Sequence, residues 1–228
     1  MCAMTNTQTH RLPAADRQQK LLEAALKVFS RRGFKGSTTK EIAAAAGVTE
    51  AIIFQHFPSK EALYSAVLEL HLDAEEERRW AAEVGGYMEN SDDEGLLRAF
   101  VHRILRSYRR DTALQRVVLF AALEGHEQGL MRLRQQFAPV YEKMVSYIAR
   151  RQREGAFVDC DPHIILLGFG AFAHQYGLLK QIFRATIPDV PDETMAQLFT
   201  EILMNGVCES SPRRPERPAG KRNRKAKK

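Results

Sequence analysis

The stretch Thr38–Lys60, which reads TTKEIAAAAGVTEAIIFQHFPSK, contains several side chains that can hydrogen-bond to nucleic acid. Lysine ammonium groups attract phosphates, whereas glutamine, threonine and glutamate side chains can pair with the edges of bases. Residues 16–60 carry eight basic and four acidic side chains, which is a local surplus of four positive charges. Such a surplus favours contact with a phosphate backbone, so this stretch is a candidate DNA-binding element.

The same stretch contains signals that predict two short helices meeting at a tight turn. Thr38 and Glu41 have the spacing of a capping box, which predicts a helix from about residue 39 that ends at Gly47. Thr49 can cap a second helix, which Pro58 prevents from continuing. The residues expected to pack these helices together are small or apolar: Ala43, Ala46, Val48, Ile53 and Phe57. The spacing therefore predicts a helix-turn-helix, whose second helix enters the major groove of DNA.

The remainder of the 228-residue chain is predicted to be helical as well, which gives an all-α fold. A first helix runs from Asp16 to Gly33, and Ser59 caps a fourth helix. The dipeptides Gly85–Gly86 and Asn90–Ser91 predict a loop. Apolar periodicity then predicts five longer helices at about residues 92–110, 112–124, 128–153, 161–184 and 191–208.

The segment Arg17–Tyr64 resembles the DNA-binding domain of the tetracycline-repressor (TetR) family of transcriptional regulators. The resemblance rests on the first-helix pattern ending in Phe34, followed by TT-x-E-I-A, GV-T and F-Q-H-F-P-S-K-E-A-L-Y, all in register. It implies a three-helix helix-turn-helix domain over residues 16–62 and a helical ligand-binding and dimerisation domain over residues 63–209. We expect residues 1–15 to be disordered, and likewise a basic tail at 210–228 that either binds DNA nonspecifically or is only a soluble end.

The resemblance also assigns roles to individual residues. Thr39, Lys40 and Lys60 would meet the phosphate backbone. Phe54 stands where the family usually has a tyrosine, and its ring cannot make the tyrosine's phosphate hydrogen bond. The acidic Glu50 can accept from a cytosine amino group but repels phosphate. The remaining residues expected at the base edges or the groove are Thr49, Ala51, Ile52, Gln55 and His56.

The resemblance also implies a homodimer, because two helices near the C-terminal end of each family member pair with the same helices of a partner. Small residues that allow close helix approach recur at Gly168, Gly170, Ala171, Ala173 and Gly177. They are equally compatible with packing inside one chain. We favour the dimer, since a single recognition helix reads too few base pairs for an operator in double-stranded DNA.

A small-molecule effector is the third implication. The inward stripes of the second domain are mostly apolar with few fixed charges, which predicts an apolar or aromatic effector that releases a repressor from DNA. The expected pocket residues are Tyr108, Phe120, Tyr141, Met144, His174 and Tyr176, although each of them also suits ordinary core packing.

Other classes of function have less support in the sequence. There is no G-x-S-x-G, P-loop or H-E-x-x-H motif, so we expect no enzyme. Cys2, Cys160 and Cys208 are scattered, and His102, Glu124, His126 and His174 are expected to be ordinary hydrogen-bonding groups, so no cofactor or metal is expected. The longest apolar run, Ile164–Ala173, is too short to cross a membrane, and we expect a cytoplasmic protein. A nonspecific, nucleoid-type DNA binder remains the alternative.

Overall fold

The computed structural model describes residues 14–69 and 74–207, and its fold is all-α as predicted. The regular elements within those ranges are α1 (Ala14–Arg32), α2 (Thr39–Ala46), α3 (Glu50–His56), α4 (Lys60–Glu69), α5 (Ala74–Glu89), α6 (Asp93–Arg110), α7 (Thr112–Glu124), α8 (Glu127–Arg153), α9 (Pro162–Gly177), a π-helical turn (Leu178–Ile182) and α10 (Asp192–Val207). The basic tail predicted at 210–228 lies outside the described residues, as does most of the predicted N-terminal disorder at 1–15, although α1 already begins at Ala14.

The ends of the short N-terminal helices follow the predicted capping signals. The Glu41 backbone N–H donates to Thr38 Oγ1 over 3.2 Å, and the Thr38 N–H donates to the Glu41 carboxylate over 3.0 Å. Gly47 ends α2 in the left-handed conformation with φ of 69°. Thr49 occupies the N-cap of α3, but its hydroxyl makes no capping hydrogen bond, contrary to expectation. The side chain of Thr49 is exposed, so its hydroxyl is available to another partner.

The four N-terminal helices share a core with α7. Phe29 of α1, Ile42 of α2, Ile53 of α3 and Leu63 of α4 are fully buried within it. The core continues beyond residue 62 to Leu68 and includes the α7 residues Val117 and Ala121. Helix α7 therefore packs against α1 and α4 of the N-terminal core, as well as belonging to the second half of the chain.

Helix α5 corrects the prediction of a loop at Gly85–Gly86. Both glycines lie inside this helix, which ends only at Glu89. Trp80 and Val84, four residues apart, are both buried in the second core, and this tertiary packing stabilises the helix despite the low propensity of glycine. A Cβ atom added at either glycine would meet nothing, so no close contact requires them.

The second core is formed by helices α5, α6, α8, α9 and α10. Helix α9 lies across α6, and its small residues allow this close approach. A Cβ added at Gly177 would lie 2.5 Å from the Tyr108 ring, and one added at Gly170 would lie 3.6 Å from Phe100. These two glycines, which were expected to form a dimer seam, thus serve packing inside the chain, whereas a Cβ added at Gly168 would meet nothing.

Candidate nucleic-acid interface

Helix α3 exposes the side on which the sequence placed its base-contacting residues. Ile53 is fully buried beneath the helix, whereas Phe54 is 48% exposed on the outside. Thr49, Ala51 and Gln55 are exposed, Glu50, Ile52 and His56 are half-buried, and Lys40 of the neighbouring α2 is exposed. These predicted contact residues are thus all at least partly accessible to solvent.

The N-terminal ends of α2 and α3 are joined by a hydrogen bond that the sequence analysis did not predict. The Thr39 hydroxyl donates to a Glu50 carboxylate oxygen over 2.5 Å. A hydroxyl has a single proton, so Thr39 cannot donate to a phosphate while this bond is present. Glu50 therefore holds the two helices of the motif together, which gives this acidic residue a structural role.

Lys60, at the start of α4, is held by the turn between α1 and α2. Its ammonium group donates to the backbone carbonyl oxygens of Phe34 over 2.6 Å and Ser37 over 2.5 Å. It also lies 4.2 Å from the centroid of the Phe34 ring. Lysine has three N–H donors, so one remains for a phosphate. Lys60 consequently fixes the turn in addition to the phosphate contact that the sequence predicted.

The comparisons with known proteins agree with this geometry. The family model for bacterial regulatory proteins of the tetR family matches residues 21–67, which span the helix-turn-helix and most of α4. The transcriptional regulator RutR of Escherichia coli K12 is 26% identical over 194 residues, which cover 85% of this chain and 89% of RutR. Residues 21–67 thus form a DNA-binding domain of the TetR-family type.

Two further similarities cover different shares of the chain. The transcriptional activator FasR of Mycolicibacterium smegmatis is 46% identical over 68 residues, which cover 30% of this chain and 31% of FasR. A TetR-family regulator from Marinobacter aquaeolei has the same fold, with a TM-score of 0.61 at 15% identity over 85% of this chain and 97% of the other. RutR and FasR are named as transcriptional regulators of the helix-turn-helix type, and the Marinobacter protein as a TetR-family transcription regulator.

The predicted effector residues make contacts in several parts of the fold. The Tyr108 hydroxyl oxygen lies 3.4 Å from Nδ1 of His174, and Met144 is buried in the same core. Tyr176 instead donates to the Pro188 carbonyl over 2.9 Å. Tyr141 packs beside His163, with ring centroids 6.0 Å apart, and Phe120 lies beside Gly33 of the α1–α2 turn. Helical periodicity identified inward positions but not which of them face each other.

Metal and membrane sites are not supported in the described part of the chain. Among residues 14–69 and 74–207, no group of three or more His, Cys, Asp or Glu side chains is arranged to hold a metal ion. His102 lies 3.8 Å from Glu193, and His126 lies 3.7 Å from Glu124, as single pairs. No helix within these ranges is both long and apolar enough to span a bilayer.

Variants of two lysines, Lys60 and Lys40, distinguish a contribution to folding stability from a purely electrostatic contribution to DNA binding. Lys60→Met removes two charge-assisted hydrogen bonds, so we expect the free energy of unfolding to fall by about 1–3 kcal/mol. Lys40→Met, at an exposed position, should leave that free energy unchanged. Each variant should weaken binding to all DNA sequences and lower the slope of log K against log salt by about one unit. Urea unfolding and a salt titration measure the two effects, and an unchanged slope for Lys60→Met would exclude its phosphate contact.

Proposed function

We propose that this TetR-family regulator is a cytoplasmic homodimeric repressor that binds a two-half-site operator and is released by an apolar or aromatic molecule. Its operator-binding residues are those exposed on α3 together with Lys40 and Lys60. We place the end of its DNA-binding domain at the end of α4, beyond residue 62, because α4 belongs to the N-terminal core. The observation that carries the proposal is a second exposed surface, on α9 and α10, whose chemistry suits pairing with a copy of the chain.

That second surface, the outer face of α9 and α10, is strongly apolar. On α9, Ile164 is 60% exposed, Leu167 is 67% exposed and Phe172 is 45% exposed. On α10, Leu198 and Ile202 are 44% and 59% exposed. Soluble monomers rarely expose large contiguous apolar patches, and two helices from each subunit can bury such a patch in a symmetric bundle.

Pairing through the outer face of α9 and α10 would place two helix-turn-helix motifs on one DNA duplex. Successive major grooves on the same side of DNA are about 34 Å apart, so the spacing of the two operator half-sites must match the separation of the two α3 helices. A ligand that favours a different separation therefore opposes DNA binding. This linkage supports release of a repressor by an effector.

The chemistry of the second core favours an uncharged effector. Burial raises the pKa of Tyr108, and partial burial lowers the pKa of the His174 imidazole. Both side chains are therefore neutral near pH 7 and can exchange a hydrogen bond with an uncharged ligand. Arg103 lies beside the Trp80 ring at 5.0 Å, but an ion pair with Glu77 neutralises it. A polyanion would find no excess of inward cations at these positions.

A thermal-shift screen followed by a DNA-release assay tests the effector. Matched libraries of apolar or aromatic compounds and of polyanions are compared on the full-length chain. We expect stabilisation and operator release by members of the first library, because a differential affinity of a few kcal/mol between two states shifts the bound fraction substantially. Tyr108→Phe should weaken the response of a compound that hydrogen-bonds there. Stabilisation and release by polyanions alone would contradict the proposed effector class.

A further inference from the structure

The end of α7 contacts the turn between α1 and α2 through one carboxylate. The oxygens of Glu124 accept hydrogen bonds from the backbone N–H groups of Phe34, over 2.8 Å, and Lys35, over 3.2 Å. The Glu124 side chain is only 14% exposed. The two N–H groups lie just beyond the C-terminal end of α1. A residue ninety positions along the chain from Phe34 thus holds this turn.

Gly33 shows how closely the turn approaches α7. Its φ is +69°, a conformation that other residues rarely adopt. A Cβ added there would lie 2.5 Å from Glu124 Oε1 and 2.8 Å from Phe120 Cδ1. The glycine is therefore required by both the backbone conformation and the approach of α7. This explains a residue that sequence analysis interpreted only as the end of a helix.

The backbone of Phe34 is hydrogen-bonded by two different helices, α7 and α4. Its N–H donates to Glu124, while its carbonyl accepts from Lys60 of α4. Its ring also packs against the His126 ring, with centroids 4.4 Å apart. Elsewhere along α7, Arg116 donates to the Ser30 carbonyl over 2.6 Å, and Val117 accepts from the Tyr64 hydroxyl over 3.1 Å.

We propose that Glu124 is a positioning residue for DNA binding, which fixes the orientation of the helix-turn-helix relative to α7, and α7 in turn packs against α6 and α8 of the second core. The turn it holds leads directly into Thr38, the N-cap of α2, and α2 in turn is tied to α3 through Thr39 and Glu50. A displacement of the turn thus displaces the recognition helix. In the dimer of the proposed function, on which this inference rests, the Glu124 contact sets the separation of the two recognition helices.

This role predicts a specific consequence for operator spacing. Hydrogen bonds to an ionised acceptor are short and directional, so their loss permits a range of orientations rather than one. The variant should then tolerate half-site spacings that the native chain rejects. A residue that only stabilised the fold would instead change the melting temperature and lower affinity equally for every spacing.

The experiment measures the affinity of full-length protein for operators whose half-sites are moved apart or together by one or two base pairs. Glu124→Gln keeps the shape of the side chain but presents one acceptor and one donor to two N–H groups. We expect its preference for the native spacing to fall about tenfold relative to the native protein. Glu127→Gln, an exposed site on α8, removes the same charge and controls for weaker repulsion of phosphates.

Each outcome separates this inference from the proposed function. If the native chain shows no dependence on spacing, the two-half-site function fails and the positioning role fails with it. If the native chain discriminates and Glu124→Gln behaves like Glu127→Gln, or loses affinity equally at all spacings, only the positioning role is overturned. Should Glu124→Gln be unfolded at the assay temperature, Glu124→Asp decides: a shorter carboxylate should give an intermediate preference, and an unchanged preference overturns the inference.

Discussion

Replacing Leu167 with glutamate is expected to give a folded monomer whose operator affinity is reduced by at least about a hundredfold. Leu167 is 67% exposed in the single chain, so the substitution removes little from its own core. In a symmetric dimer the residue is buried twice, and burying a leucine contributes about 1.5–3 kcal/mol each time. An unpaired carboxylate in that interface adds a further desolvation cost. Two such losses exceed the roughly 3 kcal/mol that a hundredfold change requires.

A matched substitution keeps this test specific. Leu123→Glu makes the same chemical change at a leucine of α7 that is 83% exposed and lies away from α9 and α10. Sedimentation equilibrium should show the Leu123 variant as a dimer and the Leu167 variant as a monomer, with equal helical circular dichroism. If Leu167→Glu remains a dimer of native affinity, the outer face of α9 and α10 is not the interface.

Gly177→Leu is expected to reduce the free energy of unfolding by about 3 kcal/mol through overpacking. An added Cβ would lie 2.5 Å from the Tyr108 ring, whose position is fixed within the second core. A Cβ added at Gly168, nine residues earlier on the same helix, meets no atom within 4 Å, so Gly168→Leu is the matched control. Chemical denaturation of both variants in the monomeric Leu167→Glu background removes any contribution from association. Equal stabilities would contradict the close crossing of α9 and α6.

The parts of the fold that sequence predicted well are those governed by local chemistry. Helix α2 begins and ends where Thr38 and Gly47 require, because a capping side chain and a left-handed glycine act on their immediate neighbours. Helix α5 was missed at Gly85–Gly86, since its stability comes from burying Trp80 and Val84 against distant helices. Propensity alone carries no information about such tertiary packing.

In the candidate site as well, local features were predicted from sequence and long-range contacts were not. Exposure along α3 follows from helical periodicity, which correctly separated the buried Ile53 from the exposed Gln55. The bonds that position the motif join residues far apart in sequence, such as Lys60 with Phe34, and no local pattern indicates them. In the same way, periodicity could not show that Gly170 and Gly177 face α6, whereas Gly168 has no neighbour within 4 Å of an added Cβ.

Selection of bound sequences from a random double-stranded DNA library tests the central claim most directly. For the native chain we expect an enriched inverted repeat, because two symmetry-related α3 helices contact two half-sites. Gln55→Ala should alter the preferred base at one position of each half-site, with a loss of about 1–3 kcal/mol in discrimination there. Recovery of no common sequence, with binding that depends only on salt, would contradict operator recognition and would indicate a nonspecific DNA binder.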